Sequence, residues 1–205
     1  VMCYLFVGSV KRGTKQAASA SNLWQVASIT KSYFSTIILQ LEAESESGKI
    51  PISFNINQKL KNWLPQYKDW GNVTIKQLLN MTSGIYSYTE LPITNMTVKH
   101  PKKIWTLNEI TALAYHHKPN TYFSPGNGWH YSDTNYILIG QIIKQIYKKM
   151  NRNNITLQEI INERILQKYQ LHDTSYQPSR LPAKVLNRMA HGYNYYTKKD
   201  FTLYN

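Results

Sequence analysis

"ASITKSYFSTIILQL", residues 27–41, sets Ser28 and Lys31 three positions apart at the front of an apolar periodic run. Phe34, Ile37, Ile38 and Leu41 recur at i, i+3, i+4 and i+7, the spacing of one buried helix face. The pattern predicts a helix over residues 28–46, stopped by Gly48 and Pro51. On such a helix residues i and i+3 share a face, so Ser28 and Lys31 stand side by side. A serine hydroxyl becomes a nucleophile only when a base takes its proton. A lysine can be that base only where burial or a nearby positive charge disfavours its ammonium. A helix N-terminus supplies a positive dipole and N–H groups able to stabilise an oxyanion. The same two residues also fit an N-cap followed by a solvated lysine. About one Ser-x-x-Lys arises by chance in a chain of ordinary composition and this length, so the remaining sequence has to decide.

Working outward, "VMCYLFVGSV" (1–10) reads as a strand ended by Gly8 and Ser9, and "KRGTKQAASASN" as a polar loop. "NQKLKNWLP" (57–65) predicts a short helix or turn. "TIKQLLNMTSGI" predicts a short helix opening at Thr74 and closing at Gly84. Residues 86–105 read as an irregular loop. "TLNEITALAYHH" predicts a helix with a capping box from Thr106 to Glu109. "FSPGNGWHYSD" (123–133) is rich in turn formers. The helix after it places Ile139, Ile142, Ile143 and Ile146 on one face, and "TLQEIINERIL" predicts another, capped at Thr156. Past Asp173 the chain is loop-rich, with "HGYNYY" (191–196) a candidate strand. The chain therefore reads as mostly helical, with strand signals near its ends. Glu42, Glu44 and Glu46 read as a solvated helix end.

The 205 residues suit one domain, 1–205, or part of a larger one. Hydrophobic residues at 42% provide a core, which excludes wholesale disorder. No apolar run reaches the length of a membrane span, and "VMCYLFVG" has neither a basic start nor a cleavage site of the signal-peptide kind. The net charge of +13 invites an anionic partner. Its lysines are scattered without interleaved aromatics, so a basic surface is expected and not a nucleic-acid footprint. The single cysteine, Cys3, cannot form an internal disulfide or a zinc motif; neither metal nor cofactor is expected. Sequons occur at Asn72, Asn80, Asn95 and Asn154, and Asn80 is expected in a buried helix end.

Further segments give "ASITKS" its context. "ESGKIPISFNINQKLKNWLP", "VTIKQLLNMTSGI", "FSPGNGWHYSDTNYILIGQII", "INERILQKYQLHDTSY" and "MAHGYNY" follow in order. Together they resemble the Ser-x-x-Lys serine hydrolases that include class C β-lactamases, D-Ala-D-Ala carboxypeptidases and related esterases. The resemblance covers Leu23 to about Tyr195. It implies an α+β fold, here mostly the helical subdomain with part of an antiparallel sheet. It also implies Ser28 as nucleophile, Lys31 as its base, and Tyr131, from the family's Tyr-x-Asn element, as proton relay to the leaving group. Asp133 stands where the family has asparagine. It is a candidate for substrate contact or for an N-cap, but a carboxylate cannot donate to a substrate carbonyl as an amide can. Met81 replaces a histidine and Gln170 a glycine, both at positions read as structural.

The family's third element, Lys-Thr-Gly or His-x-Gly on a late strand, is not found after Tyr193. "AHGY" belongs to an earlier segment, and "RGT" at Arg12 reads as loop. The expectation is a partial copy of the domain, either a fragment of a longer product or a decayed relative. Substrate would be a peptidoglycan D-Ala-D-Ala end, a β-lactam or a small ester, met outside the cytoplasmic membrane. The rival readings are a catalytically inactive binding or scaffold relative and, further off, a basic nucleic-acid-binding domain. The resemblance says nothing of oligomeric state.

Overall fold

The computed structural model describes residues 5–91, 103–176 and 181–193. Among them the α-helices are α1 (Thr30–Glu46), α2 (Ile75–Leu79), α3 (Leu107–His116), α4 (Asp133–Lys149), α5 (Leu157–Ile161) and α6 (Ala183–Leu186). α4 is the hub. It packs against α1, α2, α3 and α5. Leu138, Ile139, Ile142, Ile143 and Ile146 along it are fully buried, each worth about 1.5–3 kcal/mol of burial. The matching stripe of α1 is Phe34, Ile37, Ile38 and Leu41, as its periodicity predicts. Where α1 crosses α4, Gly140 lets Phe34 and Leu157 approach: a Cβ there would lie 3.3 Å from each. Phe54, Trp63, Tyr67 and Trp70 complete the core on the side of the 50–73 segment.

Capping follows the sequence signals closely. Thr74, Thr106 and Thr156 each close a reciprocal box, with Gln77, Glu109 and Glu159. α2 is shorter than predicted. It ends at Leu79 because Met81 takes φ +64, in the left-handed region where a helix cannot continue. α5 runs on into a wider π turn over Asn162–Leu166 and stops before Gln170, which sits at φ +55. A glycine is the usual residue at such a helix end.

Three expectations need correction. Residues 5–7 of the strand predicted over 1–10 are assigned to no strand, with Leu5 90% and Val7 85% exposed, and residues 1–4 lie outside the described residues. The bridges with both partners among the described residues are Ser9 with Ala17, Leu23 with Met189, Lys59 with Thr74 and Ile85 with Thr121, and Tyr193 also stands in a bridge. The expected portion of antiparallel sheet is therefore not seen among them. The C-terminal candidate strand runs past 193 and lies outside the described residues, as does Cys3. Secondly, Asn80 is exposed, not buried. As the residue after α2 its Oδ1 turns outward and accepts from the Thr82 backbone and hydroxyl at 3.2 and 2.6 Å.

Thirdly, the acidic end of α1 is not simply solvated. Glu42 accepts the Ile56 N–H at 2.8 Å. Glu44 makes a two-pronged pair with Arg164, at 2.9 and 2.8 Å, and that guanidinium also donates to the Tyr147 hydroxyl. Both acids are used because the 52–56 segment and the π turn fold back over the helix end. No helix among the described residues is long and apolar enough to cross a membrane.

Candidate active site

The nucleophile candidate precedes α1. Ser28 sits in a single 3-10 turn, Ala27–Ile29, and is exposed. It caps nothing, so the ordinary N-cap reading does not describe it. Ala27, the residue before it, holds φ +43, a strained conformation for a side chain with a Cβ. Strain of this kind recurs where a backbone aims a functional group. One turn on, Lys31 reaches back along the shared face, and its Nζ donates to Ser28 Oγ at 3.1 Å.

Tyr131 arrives from a different part of the chain, 103 residues away in sequence. Two segments hold it in place. The stretch 81–86 and the loop 120–130 are laced together by backbone bonds: Tyr86 N–H to Asn120 O at 3.1 Å, Tyr122 N–H to Gly84 O at 2.7 Å, Gly126 N–H to Thr82 O at 2.9 Å and His130 N–H to Met81 O at 3.1 Å. Gly84 is obligatory there. Its φ is +75, and a Cβ would come within 2.1 Å of the Phe123 carbonyl oxygen. The Met81 sulfur lies beneath the Tyr131 turn and accepts from Ser132 N–H at 3.5 Å and Asn135 Nδ2 at 3.4 Å. So fixed, the Tyr131 hydroxyl donates to Ser28 Oγ at 2.6 Å. Ser28 Oγ is thus the meeting point of a phenol and an ammonium.

Asp133, the first residue of α4, faces the same ammonium. Lys31 Nζ lies 2.5 Å from its Oδ1, and Thr89 donates to its Oδ2 at 3.0 Å. Both carboxylate oxygens therefore have protein partners. Its own N–H donates to Ser87 Oγ at 3.1 Å. The helix cap is Ser132, not Asp133. Burial alone would lower the Lys31 pKa, but hydrogen bonds and charge from Asp133 and Tyr131 outweigh it, and the net direction is up. That is opposite to the direction a resting lysine base requires. At neutral pH Lys31 is an ammonium, a donor to Ser28 Oγ with no lone pair to accept a proton.

Ser28, Lys31, Tyr131 and Asp133, all singled out from sequence, are therefore brought into one cluster. Sequence reasoning missed Thr89 and Ser87, which hold Asp133; Met81, read from sequence as structural, underlies the Tyr131 turn. Thr89 and Ser87 carry no periodic or spacing signal, since they act through a loop from 44 and 46 residues away. Among the described residues no group of three or more His, Cys, Asp or Glu side chains is arranged to hold a metal ion.

A helical core with a Ser-Lys-Tyr cluster at the N-terminal end of one of its helices defines the class, the helical portion of the β-lactamase-like fold. A penicillin-binding protein from Bacillus halodurans superposes with a TM-score of 0.73 at 24% identity, covering 97% of this chain and 57% of that one. A D-stereospecific amidohydrolase from Streptomyces sp. superposes with a TM-score of 0.62 at 30% identity, covering 76% and 47%. The family model described as Beta-lactamase matches residues 2–200, and the chain belongs to that family. Penicillin-binding protein 4* of Bacillus subtilis (strain 168) is 27% identical over 188 residues, which is 92% of this chain and 38% of that protein. Protein flp of Staphylococcus aureus (strain MW2) is 33% identical over 153 residues, 69% of this chain and 27% of that protein. The chain thus spans well under half the length of these two relatives.

Proposed function

We propose that this chain is the helical part of a serine acyl-transfer hydrolase in which Ser28 is the nucleophile and Tyr131 and Lys31 handle its proton and charge. The observation that carries the reading is the convergence on Ser28 Oγ of Tyr131 Oη at 2.6 Å and Lys31 Nζ at 3.1 Å. A serine held by a phenol that can take its proton once ionised, and by a fixed cation, is an arrangement suited to nucleophilic acyl transfer. In the reaction a bond forms between Ser28 Oγ and the substrate carbonyl carbon. The serine proton passes to Tyr131, once its own proton has gone to solvent, and then to the leaving atom as its bond to the carbonyl carbon breaks. Water resolves the acyl-enzyme, releasing the acid and restoring Ser28.

The candidate substrates are those of the resemblance: a peptide ending in D-Ala-D-Ala, a β-lactam or a small ester. A D-amino-acyl amide joins them, because D-stereospecific amidohydrolase and D-amino acid amidase appear among the similar structures. The place of action follows the same resemblance, outside the cytoplasmic membrane. The test is covalent labelling of this chain with an activated ester and a fluorescent penicillin, the labelled residue being found by peptide mass spectrometry. Label on Ser28 that is lost in Ser28→Ala supports the reading. Label elsewhere, or none with either probe, overturns it in favour of a non-catalytic binding relative.

A further inference from the structure

We propose that Asp133 is a positioning residue of this site: its carboxylate holds Lys31 as an ammonium aimed at Ser28 Oγ, which leaves Tyr131 as the side chain that accepts the serine proton. The proposal rests on the hydrolase reading above and assigns the division of labour within it.

The groups facing Lys31 come from three places. The N-terminal half of α4 presents Asp133 and Tyr136, the latter with its ring centroid 5.8 Å from Nζ. The turn before α4 presents Tyr131, at 4.8 Å. The 88–90 turn presents Tyr88, whose half-buried hydroxyl feels both Lys31 and Asp133. Asp133 is the acid among these described neighbours. The pair is only partly open to solvent, at 17% and 23% side-chain exposure. If Lys31 gave up its proton, it would leave the carboxylate without its cation in a half-buried setting, a change proteins resist.

The carboxylate cannot simply swing away. Thr89 holds Oδ2, the Ser87 hydroxyl takes the Asp133 N–H, and the residue opens a 17-residue helix whose dipole favours an anion in its first turn. α4 and the 87–89 turn thereby fix where the Lys31 charge sits, across 102 residues of sequence from α1. With Nζ directed at Asp133 Oδ1 and Ser28 Oγ, its role at the serine is that of a donor. Among the described residues Tyr131 Oη is the other side-chain partner of Ser28 Oγ, and the fixed cation beside its ring stabilises negative charge on it when it takes part.

Lysine labelled with 15N at the side-chain nitrogen, assigned by the signal lost in Lys31→Arg, reports Lys31 directly by NMR titration. In the wild-type protein Lys31 stays an ammonium beyond the pH at which the exposed lysines deprotonate. A wild-type midpoint below theirs overturns the proposal without any Asp133 variant having to fold. Asp133→Asn lowers the Lys31 midpoint by about 1–3 pH units, the shift typical of losing an opposite charge at contact. It also moves the rising limb of the pH profile for Ser28 acylation by the activated ester to lower pH, because Tyr131 then faces an uncompensated cation. A role that was merely structural would slow acylation and leave both midpoints where they were. If Ser28 is labelled and the Lys31 midpoint does not move in Asp133→Asn, the positioning role falls alone. If Lys31 titrates as expected and Ser28 takes no label, the hydrolase reading falls, and the part given to Tyr131 falls with it.

Discussion

Gly84→Ala tests whether the loop that carries Tyr131 is held as the structure describes. Two costs add at that position. The backbone is at φ +75, where a residue with a Cβ loses about 1–2 kcal/mol. The new methyl would also stand 2.1 Å from the Phe123 carbonyl oxygen and 3.0 Å from the Phe123 carbonyl carbon, both backbone atoms. The neighbouring strand of loop must retreat by roughly an ångström, a crowding cost of about 1–3 kcal/mol. The sum is about 2–5 kcal/mol, or a fall of several degrees or more in Tm for a domain of this size. Gly48→Ala supplies the control. It has a similar φ of +70 and open space around its Cβ position, so only the first cost applies. Urea unfolding of both variants separates the two terms, since the difference between them is the steric one. The same retreat moves the 120–131 loop away from Ser28, so Gly84→Ala also slows Ser28 labelling and Gly48→Ala does not. Equal urea midpoints for the two variants would refute the close packing of Gly84 on Phe123, and with it the account of how Tyr131 is placed.

Other consequences can be measured on the same footing. Ser132 Oγ is a buried side-chain oxygen without a hydrogen-bond partner among the described residues; Ser132→Ala should therefore stabilise the fold by about 1 kcal/mol, and a lowered urea midpoint would contradict it. Gln170→Gly relieves the left-handed φ of +55 at an exposed helix end and should raise stability by about 1 kcal/mol, read as a small rise in Tm. Glu109 is held at a pKa of about 2, down from 4.5, by the Thr106 N–H and then by Lys103 and the Thr106 hydroxyl. Its folded pKa is depressed, so its contribution is complete above pH 4.5 and is lost as pH falls toward 2. The urea midpoint of the wild type should consequently drop more steeply across that window than that of Glu109→Gln, and parallel curves would reject the assignment. Arg164→Met removes a partly buried guanidinium from Glu44 and Tyr147 and should cost about 2–3 kcal/mol, less than a fully buried pair because Glu44 retains water. Adding Glu44→Met should recover part of that loss in a double-mutant cycle.

The helices were legible in the sequence because each signal for them is local. Periodic apolar residues mark the buried faces of α1 and α4, and Thr-x-x-Gln or Thr-x-x-Glu marks the starts of α2, α3 and α5; both are fixed within a few residues. The strand predicted at the N-terminus was less secure for a physical reason. A strand exists only when another segment hydrogen-bonds to it, and alternation of residue types does not say which segment that is. Glu44 shows the same limit on a helix: its position after a solvated-looking run hid an ion pair 120 residues away. The residue types of the site were readable one by one. Their meeting point was readable only through resemblance, because Ser28 and Tyr131 approach through the 81–86 and 120–130 pairing, which leaves no trace in local periodicity.

The substitution at Asp133 changes what the Ser-x-x-Lys spacing means. Read locally, the spacing asks whether Lys31 can be a base, and a helix N-terminus argues that it can. The tertiary structure brings a carboxylate to 2.5 Å from that lysine, and the raised Lys31 pKa follows from contact and charge together. On the proposal made above, the lysine contributes a fixed positive charge and a hydrogen bond to Ser28, and the proton-accepting role passes to the phenol that also touches the serine. Both parts are set by helices, turns and loops: the turn before α1 presents the serine, α1 the lysine, α4 the carboxylate, and the loop laced to 81–86 the tyrosine. Among the described residues, the polar contacts around Ser28 are made from turns, loops and helices.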